Sequence, residues 1–152
     1  MSGGMKTSAG IVAVLILLSC GASFGAEPSA PPSNSVQSAC AALATVRCFA
    51  FGGVGYTGAI SAGEEAYRAV LGSTNALGLF ETILSRGTSE AKLYALCGIR
   101  RLHPEAFAAA AKDLRTTDPQ VNTMSGCLLT EEPASAVIRR IANGDYDDRG
   151  QR

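Results

Sequence analysis

Glu90-Ala91-Lys92-Leu93-Tyr94-Ala95-Leu96-Cys97-Gly98-Ile99-Arg100-Arg101-Leu102 reads as one helix that is apolar nearly all round. A helix without a broad polar face is covered on most sides by the rest of its protein. This stretch therefore predicts the centre of the fold. Thr88 or Ser89 supplies its N-cap. Gly98 costs about 1 kcal/mol against alanine in a helix interior, and a close crossing with a second helix explains it.

Helices are expected on both sides of this centre. Ser61-Ala62-Gly63-Glu64 has capping-box spacing and opens a helix to Leu71, striped by Ala66, Tyr67, Val70 and Leu71. The next spans residues 75–86, where Ala76, Leu79, Phe80, Ile83 and Leu84 recur at helical spacing. His103-Pro104 starts another, with proline at the first helical position and Phe107, Ala110, Ala111 and Leu114 on its face. The last runs over residues 131–142, with Val137, Ile138 and Ile141 as its stripe and Asn143-Gly144 as its stop. Residues 36–46 permit a short helix, residues 48–51 an extended segment, and residues 121–129 an extended segment or short strand. Alanine is abundant and tryptophan absent, which suits closely packed helices. The expectation is an all-α fold: a compact bundle of five to six helices in tandem antiparallel pairs, with a glycine-rich loop at residues 52–58 and one short extended segment.

The N-terminus gives an address. Met1 to Ala26 carry one charge, Lys6, then the apolar run Ile11-Val12-Ala13-Val14-Leu15-Ile16-Leu17-Leu18, then small residues. This is the pattern of a secretory signal peptide. The apolar run is short against the roughly 20 residues that span a bilayer. Leu17-Leu18-Ser19-Cys20 resembles the lipobox of bacterial lipoproteins, and the resemblance implies lipidation at Cys20. The alternatives are ordinary cleavage after Ser23-Phe24-Gly25, or an uncleaved anchor. Residues 27–37 are rich in proline and serine and read as an extended tether. A single domain is expected over residues 38–146, followed by a charged tail at 147–152. The expected location is the bacterial cell envelope, lipid-anchored or periplasmic, or the exterior.

Export carries thiols into an oxidising compartment. With Cys20 lipidated or removed, Cys40, Cys48, Cys97 and Cys127 remain, an even number that suits two disulfides. Four cysteines allow three connectivities. The favoured pairs are Cys97 with Cys127 and Cys40 with Cys48. The second requires a break between its partners, because eight residues of continuous helix separate Cα atoms by about 12 Å. Free buried thiols are the rival reading. No Cys-x-x-Cys occurs and His103 is the only histidine, so no metal is expected.

Leu93 to Leu102, then a turn and a second amphipathic helix, resembles a short HEAT-type unit. The chain is also similar to small exported bacterial proteins, through Phe51-Gly52-Gly53-Val54-Gly55-Tyr56 and Leu93-Tyr94-Ala95-Leu96-Cys97-Gly98. HEAT arrays bind proteins along a surface, so that resemblance implies an interaction role.

The chemistry-bearing motifs are weak. Gly53-Val54-Gly55-Tyr56-Thr57-Gly58 matches G-x-G-x-x-G, but a dinucleotide site needs a βαβ unit, and helix is expected to follow helix. The default is a structural loop. The functional alternative is a recognition loop that places Phe49, Phe51 and Tyr56 in an exposed aromatic patch. His103 is a general base only if an acid or nucleophile lies within about 3 Å. Glu64-Glu65 and Glu131-Glu132 fall in first turns of expected helices, where the macrodipole favours acids. Arg100-Arg101 and Arg139-Arg140 sit near helix C-termini, where it favours bases. Asn143-Gly144-Asp145-Tyr146-Asp147-Asp148 lacks the glycine and glutamate of a calcium loop. Lysine and arginine total 13, as do aspartate and glutamate, so nothing favours nucleic acid. No catalytic residue and no cofactor is assigned.

The functional expectation is an exported, envelope-associated, non-catalytic interaction module whose partner is another envelope protein. Contact with the membrane is expected only through the N-terminal lipid or signal segment. The alternatives are a small envelope hydrolase using His103 and a carboxylate, or a structural envelope component without an exposed apolar patch.

Overall fold

A computed structural model describes residues 32–147. The signal segment, Cys20, the first residues of the tether and the end of the charged tail lie outside the described residues.

The all-α expectation is overturned. Four strands form a mixed sheet in the order β2-β1-β3-β4. They are β1 (Phe49–Val54), β2 (Ala59–Ile60), β3 (Gln120–Gly126) and β4 (Leu128–Pro133). The helices are α1 (Pro32–Ala44), α2 (Ala62–Leu71), α3 (Ala76–Arg86), α4 (Ser89–Leu102), α5 (Phe107–Ala110), α6 (Lys112–Thr117) and α7 (Ala134–Asn143). A 3₁₀ turn over Pro104–Ala106 leads into α5. The expected helix beginning at Pro104 is thus present but interrupted.

β1 and β3 pair in parallel, with α2 to α6 in the crossover between them. β2 and β4 each pair antiparallel with an inner strand. Neither outer strand looks like one in the sequence: β2 is two residues long, and β4 ends in Glu131-Glu132-Pro133. Those residues open no helix. They close a hairpin in which Ser125 faces Leu128 and Gln120 faces Pro133. The turn is Gly126-Cys127, with Gly126 at φ +58°, the glycine-first pattern of a two-residue hairpin.

The central helix is where the sequence puts it. From Leu93 to Ile99 every residue of α4 is buried, and α4 touches α1, α2, α3, α5, α7, β1 and β3. Thr88 caps it, accepting from the Ala91 N–H at 3.1 Å. A Cβ on Gly98 would collide with the ring of Phe80 on α3, so the expected close crossing is α3 against α4. The link of Gly87 and Thr88 is too short for anything but a reversal. These helices do form a pair, but α4 packs against β1 and β3 of a sheet, and the two do not stack as a HEAT array.

α1 begins at Pro32, inside the segment 27–37 expected to be extended. Proline is compatible with a first helical turn. Ser61 caps α2 by accepting from the Glu64 N–H at 3.1 Å. Proline precedes α7 and has no capping side chain, so Asp118 substitutes for one. Its carboxylate accepts from the Ser135 N–H at 2.8 Å and from the Ser135 hydroxyl at 3.1 Å.

β1 would have an exposed edge beyond the short β2. Side chains of α2 and α4 cover it instead. The Tyr94 hydroxyl donates to the Ala50 carbonyl at 2.7 Å and accepts from the Ala50 N–H at 2.9 Å. The Ser61 hydroxyl also donates to that carbonyl, at 3.0 Å. The buried Glu64 carboxylate accepts from the Gly52 N–H at 2.8 Å and is neutralised by Arg68 at 2.7 Å. Helix side chains thus complete the backbone pairing of the strand.

Candidate functional site

Phe49 and Phe51 project from β1 into the core at 2% and 5% exposure, which corrects their place in an exposed patch. The extended segment expected at residues 48–51 is the start of β1, an inner strand that begins at Phe49. The two rings meet edge to face at 5.4 Å between centroids and pack on Tyr94 at 4.8 and 5.1 Å. Tyr56 alone of the three is fully exposed.

The two phenylalanines still help to line a site. A cleft of about 470 Å³ opens over them between β3, β4 and the end of α7, and Thr123, Glu132, Arg140 and Tyr146 wall it. Such a volume suits a small ligand or a few residues of peptide. Two of its charged side chains pair with each other. Arg140 Nη1 and Nη2 donate to the two oxygens of Glu132 at 2.8 and 2.5 Å, and the Thr123 hydroxyl donates to Glu132 at 2.7 Å. The Arg140 hydrogen bonds hold the Glu132 carboxyl below the usual carboxylate range, against the opposing effect of burial. The same contacts push the Arg140 guanidinium further up. Glu132 is therefore a charged partner of Arg140, not the first-turn dipole acid the sequence suggests.

Tyr146 closes the cleft. Gly144 ends α7 in the left-handed region at φ +88°, where glycine is favoured, and the chain turns back over the sheet. The Tyr146 ring meets Phe49 at 5.1 Å and Phe51 at 5.5 Å, and its hydroxyl accepts from Arg140 Nε at 2.9 Å. Burial raises its phenol, partly offset by Arg140. Arg100 Nη1 donates to both carboxylate oxygens of Asp147, and Arg101 Nη1 to its carbonyl at 3.3 Å. Part of the expected tail is thus a strap pinned to α4, and Arg100, Arg101 and Arg140 have partners beyond their helix dipoles.

A second surface lies at the turn end of the sheet. The β1–β2 and β3–β4 turns are tied by the Gly55 N–H donating to the Gly126 carbonyl at 2.9 Å. Around this tie Tyr56 is fully exposed, Leu128 68% and Leu129 58% exposed. Beside them, β4 pairs among the described residues only with β3 and forms an outer edge of the sheet. The glycine motif at residues 53–58 belongs to the first turn. It leads into β2, not into a helix N-terminus, and so builds no phosphate cradle.

The remaining candidates stand apart. His103 caps the C-terminus of α4 at the surface, with Nε2 3.2 Å from Glu105. Both side chains are exposed, and neither lines the cleft described above. The four cysteines among the described residues are free: Cys40 and Cys48 half-buried, Cys97 buried in α4, Cys127 exposed in the β3–β4 turn. Neither favoured disulfide is formed. The break required between Cys40 and Cys48 exists, since α1 ends at Ala44, yet the two thiols remain unpaired. Burial pushes the Cys97 thiol up, and burial, then Glu90, raises that of Cys48.

Among the described residues, no helix is long and apolar enough to cross a membrane. No group of three or more His, Cys, Asp or Glu able to hold a metal occurs among them. The chain matches no protein-family model, and neither curated proteins nor solved structures offer a match to it.

The sequence misses the cleft because its floor comes from β1 and its walls from the β3–β4 hairpin, α7 and the strap, far along the chain from β1. The one available signal is Glu132 eight residues before Arg140. That spacing has no meaning until Pro133 is known to separate a strand from a helix.

Proposed function

We propose that this protein is an exported, envelope-associated interaction module that binds another envelope protein through the turn end of its sheet. The reading is carried by Tyr56 in the β1–β2 turn and by Leu128 and Leu129 at the start of β4, each exposed, next to two tied turns and the outer edge of β4. Large apolar side chains grouped on a surface mark interaction sites more often than isolated ones do. A partner strand added to β4 would gain main-chain hydrogen bonds, with the apolar side chains setting selectivity. Export is supported by residues 1–26, and attachment to the membrane by the lipobox-like run ending at Cys20.

The hydrolase alternative requires His103 to meet a carboxylate in a concave site. Its carboxylate neighbour is Glu105, and both lie in solvent. No observation favours that alternative.

Site-specific photo-crosslinking in the intact envelope tests the proposal. A benzophenone amino acid replaces Tyr56, Leu128 or, as a control on an exposed helix face, Glu81. The expected result is one discrete protein adduct from both sheet-end positions and none from the control. Absence of an adduct at Tyr56 and Leu128, or the same adduct at Glu81, overturns the proposal.

A further inference from the structure

The strap after α7 is held by two separable devices. One is an aromatic slot: Tyr146 rests on Phe49 and Phe51, with its hydroxyl on Arg140 Nε. The other is a basic clamp: the Asp147 carboxylate lies on Arg100, and its carbonyl on Arg101. The slot belongs to β1 and α7 and the clamp to α4, so both remain when the strap is lifted. A lifted strap would uncover Phe49, Phe51 and the Nε of Arg140, whose Nη atoms stay on Glu132, and would free Arg100 and Arg101 on α4 of Asp147. Those groups complement an aromatic ring adjoining a carboxylate, through ring–ring contact and charge-assisted hydrogen bonds.

The hinge is local. Gly144 supplies the reversal, and a Cβ there would lie within 2.9 Å of the Asp147 carboxylate and 3.1 Å of Arg100. Side-chain contacts of Tyr146 and Asp147 hold the strap down, together with the turn hydrogen bond from the Asp147 N–H to the Gly144 carbonyl at 3.1 Å. The Asp147 side chain is 49% exposed. Water competes for exposed ion pairs, so each contributes little.

We infer that the aromatic slot and arginine clamp form a peptide-binding site whose resident occupant is the protein's own Asp145-Tyr146-Asp147, and that an external acidic–aromatic–acidic segment of a protein partner displaces it. The strap then acts as a built-in competitor. Apparent affinity for an outside segment is the intrinsic affinity scaled by the fraction of molecules with the strap lifted. This surface is distinct from the sheet end, so failure here leaves the sheet-end proposal standing, and the reverse.

The test uses the full chain and a fluorescein-labelled peptide of residues 143–148, Asn-Gly-Asp-Tyr-Asp-Asp. Fluorescence anisotropy compares the wild type with Asp147→Asn, which removes the charge that the clamp holds. The expected result is an affinity increase of about tenfold in Asp147→Asn, as the competitor is weakened. Binding is lost when the peptide carries Tyr146→Ala, and falls steeply with salt. Equal affinity in both proteins, no binding to either, or equal binding of the alanine peptide overturns the inference. Circular dichroism checks that the variant is folded. Should it unfold, NMR of the wild type with excess peptide decides the matter. Shifts confined to Phe49, Phe51, Arg140 and the strap support displacement, and unchanged spectra overturn it.

Discussion

Gly98 illustrates how one absent methyl group sets a fold's spacing. It faces Phe80, which is fully buried, and a Cβ added at Gly98 would collide with its ring. Gly98→Ala would raise helix propensity by about 1 kcal/mol. Overpacking a tight core costs about 1–3 kcal/mol, so the steric effect wins or at least cancels the gain. The expected outcome is a lower midpoint in chemical denaturation, with an unchanged slope. A stabilised variant would mean that the α3–α4 contact is looser than the structure places it. Tyr94 makes the complementary point, because one hydroxyl serves both backbone groups of Ala50. Burial pushes that phenol up to about 12, so it remains a donor at any physiological pH.

At the scale of elements, helices were legible and outer strands were not. α2, α3 and α4 announce themselves through caps and spacing: Ser61 before Glu64, Thr88 before Ala91, Phe80 three residues before Ile83. β2 has only two residues, too few for any alternation to register. β4 shows no apolar–polar alternation, because every residue from Leu128 to Glu131 is exposed, so it has no buried face to reveal. Its final proline, which looks like a helix start, serves as the junction of β4 and α7. The cleft depends on that junction, since Glu132 lies on one side and Arg140 on the other. The pair predicts a pH dependence. The Glu132 carboxyl lies lower in the folded protein than in the unfolded chain, where glutamate titrates near 4.3. Its contribution is therefore present above that value and is lost as pH falls through the folded-state value. Glu132→Gln should be less stable than wild type at neutral pH, and the gap should narrow below about pH 4. Urea unfolding at pH 7, 5 and 3 checks it. A gap of constant size would show that Glu132 acts through shape alone and not through charge.

At the scale of the whole molecule, the hydrophobic core replaces the disulfide framework that the cysteines suggested. The core runs without interruption from Leu43 on α1 through Tyr94 and Leu96 on α4 to Ile141 on α7, and it includes Cys97 as one more small apolar residue. About 120 residues suffice for a core of this kind without covalent support. Cysteine count and export argue for cross-links, and packing argues against needing them. Spacing in the chain could not choose, because it carries no information on which thiols face inward. Reactivity separates the two views. With Cys127 exposed and Cys97 at 6% exposure, iodoacetamide should modify Cys127 first in the native protein. Cys40 and Cys48 should follow at intermediate rates. Cys97 should react only through opening of the core, since its thiol is both enclosed and raised by burial. Its rate should then rise with urea in step with unfolding, while that of Cys127 stays nearly flat. Peptide mass mapping reads all four sites in one time course. A Cys97–Cys127 cross-linked peptide from the untreated native protein would restore the covalent framework. Equal rates at Cys97 and Cys127 would deny that α4 is the sealed centre on which the strand edge, the cleft and the strap all depend.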